Sequence, residues 1–144
     1  MTSTEQLQNL AAIRKLKTEP PDVREFNGLL LAAKRMLPDA ELEQLSPHSR
    51  FQLAYDAAHS LALAALRWHG YRASDRYIVF QTLPHTLNFP QGKWRLLDNC
   101  HQKRNVALYE GAFQEDERLI SELIGVTKDL LVEVEKLPPI SSTF

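Results

Sequence analysis

A guanidinium, an amide, an imidazole and a phenol stand close together in one stretch, KWRLLDNCHQKRNVALYEG, from Lys93 to Gly111. Arg104 is always charged, and its fork matches phosphate. His101 is the neighbour whose unperturbed pKa suits proton transfer near neutrality. Asn105 can orient Arg104 or a bound anion. Tyr109 titrates at about pH 10, so it is a hydrogen-bond donor and a poor base. These residue types can grip an anion and move a proton.

The stretch reads as a helix. With His101 set at zero and about 100° per residue, Leu96, Leu97, Cys100, Ala107 and Leu108 fall in one stripe wide enough to face a core. Arg104 falls inside that stripe, where an unpaired charge is costly. Trp94, His101, Asn105 and Tyr109 make a second face beside it. Two readings of Arg104 stand. Its stem snorkels along apolar surface with the head in water, or it is held inward for a purpose. Asp56 is its candidate ion-pair partner.

The surrounding charge is uneven. Lys93, Arg95, Lys103 and Arg104 are opposed only by Asp98 between positions 92 and 104, and Glu110, Glu115, Asp116 and Glu117 follow with no base among them. Either this is a solvated helix face, or it is a basic approach to a groove that attracts phosphate. Trp94 stacks on a base in the second reading and packs in a core or a dimer interface in the first. His59 reads as a hydrogen-bonded core histidine supporting the same region. His48 and His69 read as solvated helix-end residues and His85 as a loop residue. No histidine pair has metal-ligand spacing, no glycine loop cradles a nucleotide, and nothing local supports Ser-His-Asp chemistry. No metal and no cofactor are expected.

The elements that must position these groups are helices. The first runs from about Thr4 to Lys17, capped by Ser3 or Thr4 and stopped by Pro20-Pro21. Asp22 caps a second, with Phe26, Leu29, Leu30, Ala33 and Leu37 at helical period, which Pro38 breaks or kinks. A short helical turn is expected from Asp39 to Leu45. The third has Ser46 as N-cap, Pro47 as first residue and Gly70 as stop. Its many alanines and leucines leave little polar surface, so it belongs at the centre. Ser74 caps a fourth from Asp75 to Leu87, with Tyr77, Phe80, Leu83 and Leu87 inward and an irregular last turn at Pro84. The Arg104 helix follows, then a last helix from about Glu115 to Lys136. Residues 137–144 are read as a loose tail. No strand of useful length is expected, because Ile78-Val79-Phe80 is too short and no alternation is sustained. The fold class is therefore all-α: an antiparallel up-and-down bundle of about five to six helices with short connections.

With 144 residues the chain fits a single domain spanning 1–144. A net charge of −1 provides no global field toward nucleic acid or membrane, so any anion site must be local. One cysteine excludes an internal disulfide. The start MTSTEQLQ lacks a basic region and an apolar run, and Leu61–Leu66 is far too short to span a membrane, so a cytoplasmic protein without a membrane partner is expected.

Arg104-Asn105, followed by three residues and Tyr109 on a late helix ending in Gly111, resembles the motif of the HEPN superfamily (higher eukaryotes and prokaryotes nucleotide-binding). That motif is Arg, often followed by Asn, then four to six residues and His. Here Tyr109 stands where the His would be. The resemblance covers about residues 46–135 and includes Tyr55-Asp56-Ala57-Ala58-His59 and the Gly70-Tyr71-Arg72 turn. Residues 1–45 carry no motif of the family. The resemblance implies a helical bundle and a homodimer with the Arg104 helix at the two-fold axis. It implies RNA or a nucleotide as ligand, and a ribonuclease-like toxin whose partner is a nucleotidyltransferase-like antitoxin. HEPN ribonucleases cut RNA without a metal, which requires a proton acceptor and a cation for phosphorane charge. Arg104 is the cation, with Lys103, Lys93 and Arg95 as further phosphate contacts, and His101 substitutes for the missing histidine. The alternative is a bundle of the same type that binds RNA, nucleotide or protein without cutting.

Overall fold

The computed structural model describes residues 2–110 and 116–140, with the side chains of 106–110 outside the description. The elements are α1 (Ser3–Ala12), β1 (Leu16–Thr18), α2 (Val23–Ala40), α3 (Pro47–Trp68), β2 (Tyr71–Ala73), a 3-10 turn (Phe80–Thr82), α4 (Leu83–Thr86), α5 (Gln91–Glu110) and α6 (Glu117–Glu135). The fold is an all-α helical bundle with one small two-stranded ribbon.

Local chemistry sets the ends of the long helices. Asp22 accepts from the Glu25 amide at 3.0 Å to start α2, and Ser46 accepts from the Ser49 amide at 3.1 Å to start α3. Gly70, at φ 85°, ends α3 in a left-handed turn whose amide returns to the Arg67 carbonyl at 3.1 Å. Asp116 starts α6 by accepting from the amides of Arg118 and Leu119.

Side-chain pairs along the bundle give its directions. Arg50 donates to the Ala40 carbonyl, Ser60 to that of Leu29, and Arg67 pairs with Glu25, so α2 and α3 are antiparallel. Lys34 meets Glu135 and Lys128 meets Glu41, so α2 and α6 are antiparallel too. Arg50 meets Glu117, while Trp68 near the far end of α3 donates to the Pro138 carbonyl, so α3 and α6 run the same way. This is up-and-down packing around α3, whose Ala54, Ala57, Ala58, Ala62, Ala64 and Ala65 are fully buried. Alanine at these positions lets neighbouring backbones come close. Phe51, Leu61, Phe80, Leu97, Leu123 and Leu130 fill the space between.

Several sequence expectations are corrected. The chain does form strands: Leu16, Lys17 and Thr18 pair antiparallel with Ala73, Arg72 and Tyr71. Three residues are too few to show alternation, and the pairing joins segments far apart in the chain. The first helix ends at Ala12, not Lys17, because Arg14 adopts φ 64°. The Lys15 amide then reaches Leu10 and the Arg14 amide reaches Ala11, a Schellman closure made with arginine where glycine is usual. Pro38 does not break α2, which runs to Ala40, and 41–45 hold only turns. Proline in the last exposed turn frees one carbonyl that water can satisfy. The expected helix from Asp75 to Leu87 is an irregular segment, a 3-10 turn and the short α4, with Pro84 in that helix's first turn. Tyr77, expected inward, is 67% exposed.

The loop before α2 and the first turn of α2 are tied to the end of α3 and to β2 by a charge cluster that sequence reading did not find. Arg67, only 3% exposed, pairs with Glu25 and Glu19 and donates to the carbonyls of Pro20 at 2.7 Å, Glu19 at 3.1 Å and Tyr71 at 3.3 Å. Arg72 bridges the same two carboxylates. Its hydrogen bonds, with Arg67's help and against burial, hold Glu19 and Glu25 below the usual carboxylate value.

Candidate functional site

Two helices bring the site together. On α3, Tyr55 and His59 lie one turn apart; on α5, His101 and Asn105 do the same, with Arg104 between them. The wheel placed His101 at the edge of the core stripe. In the fold it is inside, at 2% exposure. Nδ1 of His101 is 2.6 Å from the Tyr55 hydroxyl, and Nε2 is 3.4 Å from Nδ2 of Asn105. With the Asn105 amide donating to Nε2, the ring proton belongs on Nδ1, which donates to the Tyr55 oxygen. The phenolic hydrogen is then free to donate onward.

Burial sets the protonation states. It lowers the His101 pKa; Asp98 opposes the shift, and Arg104 and Arg76 add to it. His59 is pushed down to about 4, by burial first and then by Arg76, His101 and Arg104. Tyr55 is pushed up to about 12 by burial, which outweighs the nearby Arg104 and Arg76. Near neutral pH the cluster therefore holds two neutral imidazoles and an un-ionised phenol beside two guanidinium charges.

Arg104 lies with its guanidinium carbon 5.1 Å from the centre of the Tyr55 ring, a cation–π contact. Among the described residues its buried Nε has no hydrogen-bond partner and it makes no ion pair. Asp56, its candidate partner, instead accepts from the Gln52 amide at 2.9 Å. His59, expected to be a hydrogen-bonded core histidine, is half-buried, and among the described residues its buried Nε2 has no partner. His59 stacks on Tyr55 at 6.0 Å between ring centres and meets Phe80 edge-on at 5.8 Å.

The other candidates do not converge on Arg104. Lys93 pairs with Asp129 at 3.0 Å and lies 5.8 Å from the Phe89 ring. It lies in the first turn of α5, roughly 16 Å of axial rise before Arg104. Arg95 stacks over the half-buried Trp94 at 5.7 Å, and Lys103 is exposed. Tyr109 lies outside the described side chains. His69, read as solvated, is half-buried, and its Nε2 hydrogen-bonds to the Thr86 carbonyl at 2.8 Å. Cys100 is buried, and its thiol is pushed up to about 12 by that burial, so it is not nucleophilic. Among the described residues no cluster of His, Cys, Asp and Glu is arranged to hold a metal, and no helix is long and apolar enough to cross a membrane.

Sequence reading did not find the contacts of Tyr55 with His101 and Arg104, or the nearness of Arg76 and Tyr77 to His101. Tyr55 sits one turn before His59 on an otherwise alanine-rich face, which is the signal that was available. Arg76 and Tyr77 were assigned to a regular helix that does not form. Chemically the arrangement offers a guanidinium that makes no ion pair among the described residues, beside a neutral imidazole hydrogen-bonded to Tyr55 and Asn105. Comparison with protein-family models, curated proteins and solved structures finds no match.

Proposed function

We propose that this chain is a HEPN-like RNA-binding module that holds an RNA phosphate on Arg104. The observation supporting this is the state of Arg104: a half-buried guanidinium, held over an aromatic ring, that makes no ion pair among the described residues. An arginine kept for stability alone is normally neutralised where it is buried, as Arg67 is in this same chain. A guanidinium without a carboxylate gains most from an anionic ligand, and phosphate fits its fork. Asn105, next to it in the motif, orients the imidazole and the phosphate. The reading includes a cytoplasmic homodimer with two copies of α5 around one cleft, and a nucleotidyltransferase-like protein as partner.

The second reading is a metal-independent ribonuclease. It is favoured by a specific observation: burial keeps His101 neutral, able to accept a proton. Against direct attack, both ring nitrogens are engaged and the ring is almost fully covered. In this reading His101 accepts the proton at Nε2, Tyr55 and Tyr109 donate hydrogen bonds, and cleavage is lost in His101→Ala. Binding without cleavage is the better-supported alternative.

One assay tests both readings. Wild type and Arg104→Ala are compared for binding and cutting of mixed RNA with EDTA present. Binding by wild type that is lost in Arg104→Ala is the expected result. Equal affinity in both proteins overturns the assignment of Arg104, and metal-free cutting by wild type selects the ribonuclease.

A further inference from the structure

The segment 74–79 leaves the ribbon and passes beside His101 without forming a helix. Ile78, Val79 and Phe80 anchor it in the core. The Tyr77 amide donates to the Asp75 carboxylate at 2.9 Å, which closes a tight local turn. Tyr77 is thereby held outward, 67% exposed, with its ring 5.5 Å from the His101 ring and nearly perpendicular to it. Arg76 is exposed beside it and makes no ion pair among the described residues. The charge of Arg76 reaches inward far enough to disfavour protonation of His59 and His101, as that of Arg104 does. Among the described residues, Asp75 accepts from the Tyr77 amide, Asp56 from Gln52 and Asp98 from Gln81.

We infer that Tyr77 is a stacking platform for an unpaired base of single-stranded RNA, whose adjoining phosphates are held by Arg76 and Arg104. The inference rests on the RNA-binding reading and names the form of RNA. An open aromatic face beside unpaired cations matches the two needs of a single strand, since every base offers a π-face and every linkage a charge. A duplex hides its base faces in its own stack and offers only backbone and groove edges. The anchored turn keeps the ring in place, so little freedom is lost when a base settles on it. Tyr77 lies against His101, which brings the stacked nucleotide to the Tyr55–His101–Arg104 cluster.

The test is fluorescence anisotropy with a labelled, unstructured mixed-sequence RNA strand and with the same strand in a duplex, both in EDTA. The proteins are wild type, Tyr77→Phe, Tyr77→Ala, Arg76→Ala and Arg104→Ala. Tyr77→Ala is expected to weaken binding of the strand by roughly 5- to 150-fold, the range of one lost stacking contact. Tyr77→Phe keeps the ring and should bind within about twofold of wild type. Arg76→Ala should reduce the slope of log affinity against log salt by about 0.7, one phosphate contact on a single strand. Binding that is lost in Arg104→Ala but unchanged in Tyr77→Ala overturns the platform and leaves the phosphate site standing. Duplex bound as tightly as the strand also overturns it. A wild type that binds no RNA overturns this inference together with the reading it rests on.

Discussion

The Tyr55 hydroxyl and Nδ1 of His101 lie 2.6 Å apart, joining the middle of α3 to the middle of α5 through two buried rings. This hydrogen bond ties the central helix to the helix that carries Arg104, and the Tyr55 ring is also the surface on which that arginine rests. One tyrosine thus positions both the imidazole and the cation.

Tyr55→Phe removes that hydroxyl and leaves a buried imidazole nitrogen without its partner. The expected loss is about 1–3 kcal/mol of folding stability, measured by equilibrium urea unfolding. The aromatic ring remains, so Arg104 keeps its place. A loss below about 0.5 kcal/mol would mean that His101 finds another partner.

Acid should unfold the protein in a defined window. Burial pushes the folded-state pKa of His59 down to about 4, below the ordinary imidazole value of 6.5. The unfolded chain therefore binds more protons between those values, and stability falls as pH falls through them. The contribution of His59 is complete above pH 6.5, is lost progressively toward pH 4, and is on the order of 3 kcal/mol. Burial acts in the same direction on His69, His85 and His101. His59→Leu, which cannot titrate, should flatten the dependence of unfolding free energy on pH across this interval. An unchanged slope would remove His59 from the account.

Arg67 and Arg72 share carboxylates but not burial. Arg67→Ala leaves Glu25 facing a buried gap and three carbonyls without their donor, an expected loss of about 3–5 kcal/mol. The Arg72 side chain is 42% exposed, so Arg72→Ala should cost at most about 1 kcal/mol. Urea unfolding of the two variants side by side checks the contrast, and equal losses contradict it.

Two left-handed residues should respond in opposite ways. Arg14, at φ 64°, closes α1 where glycine is the usual residue. Arg14→Gly should stabilise by about 0.5–1 kcal/mol, the relief of Cβ strain less the extra freedom of an unfolded glycine. Gly70→Ala should destabilise by about 1–2 kcal/mol. An added Cβ there would stand 3.6 Å from the Glu19 carbonyl oxygen, an ordinary contact, so the loss comes from the backbone angle. Thermal melts of both variants give the signs.

Most of the bundle was legible before any coordinates. Ser46-Pro47 and Gly70 bound the central helix, Asp22 starts α2, and the apolar period of α6 places Leu123, Leu130 and Val134 inside. Each of these signals acts within about one helical turn, through a cap, a fixed φ or the 3.6-residue period. They are properties of neighbours in the chain, so a linear reading can find them.

What the reading missed depended on residues far apart in the sequence. The ribbon pairs Leu16 with Ala73, and Arg67 is satisfied by Glu19, Pro20 and Glu25 across another helix. Helical periodicity put Arg104 inside the core stripe and left Asp56 on another helix as its candidate partner, which made an ion pair the natural expectation. The rotation of α3 against α5 instead turned the Tyr55 ring toward Arg104 and left Asp56 to Gln52. The sequence by itself determined the long helices α2, α3 and α6 and the apolar side of each, because caps and periodicity are local. Only the tertiary structure decided that His101 is buried, that Arg104 has an aromatic partner and that Tyr77 is exposed, because those facts depend on how distant helices meet.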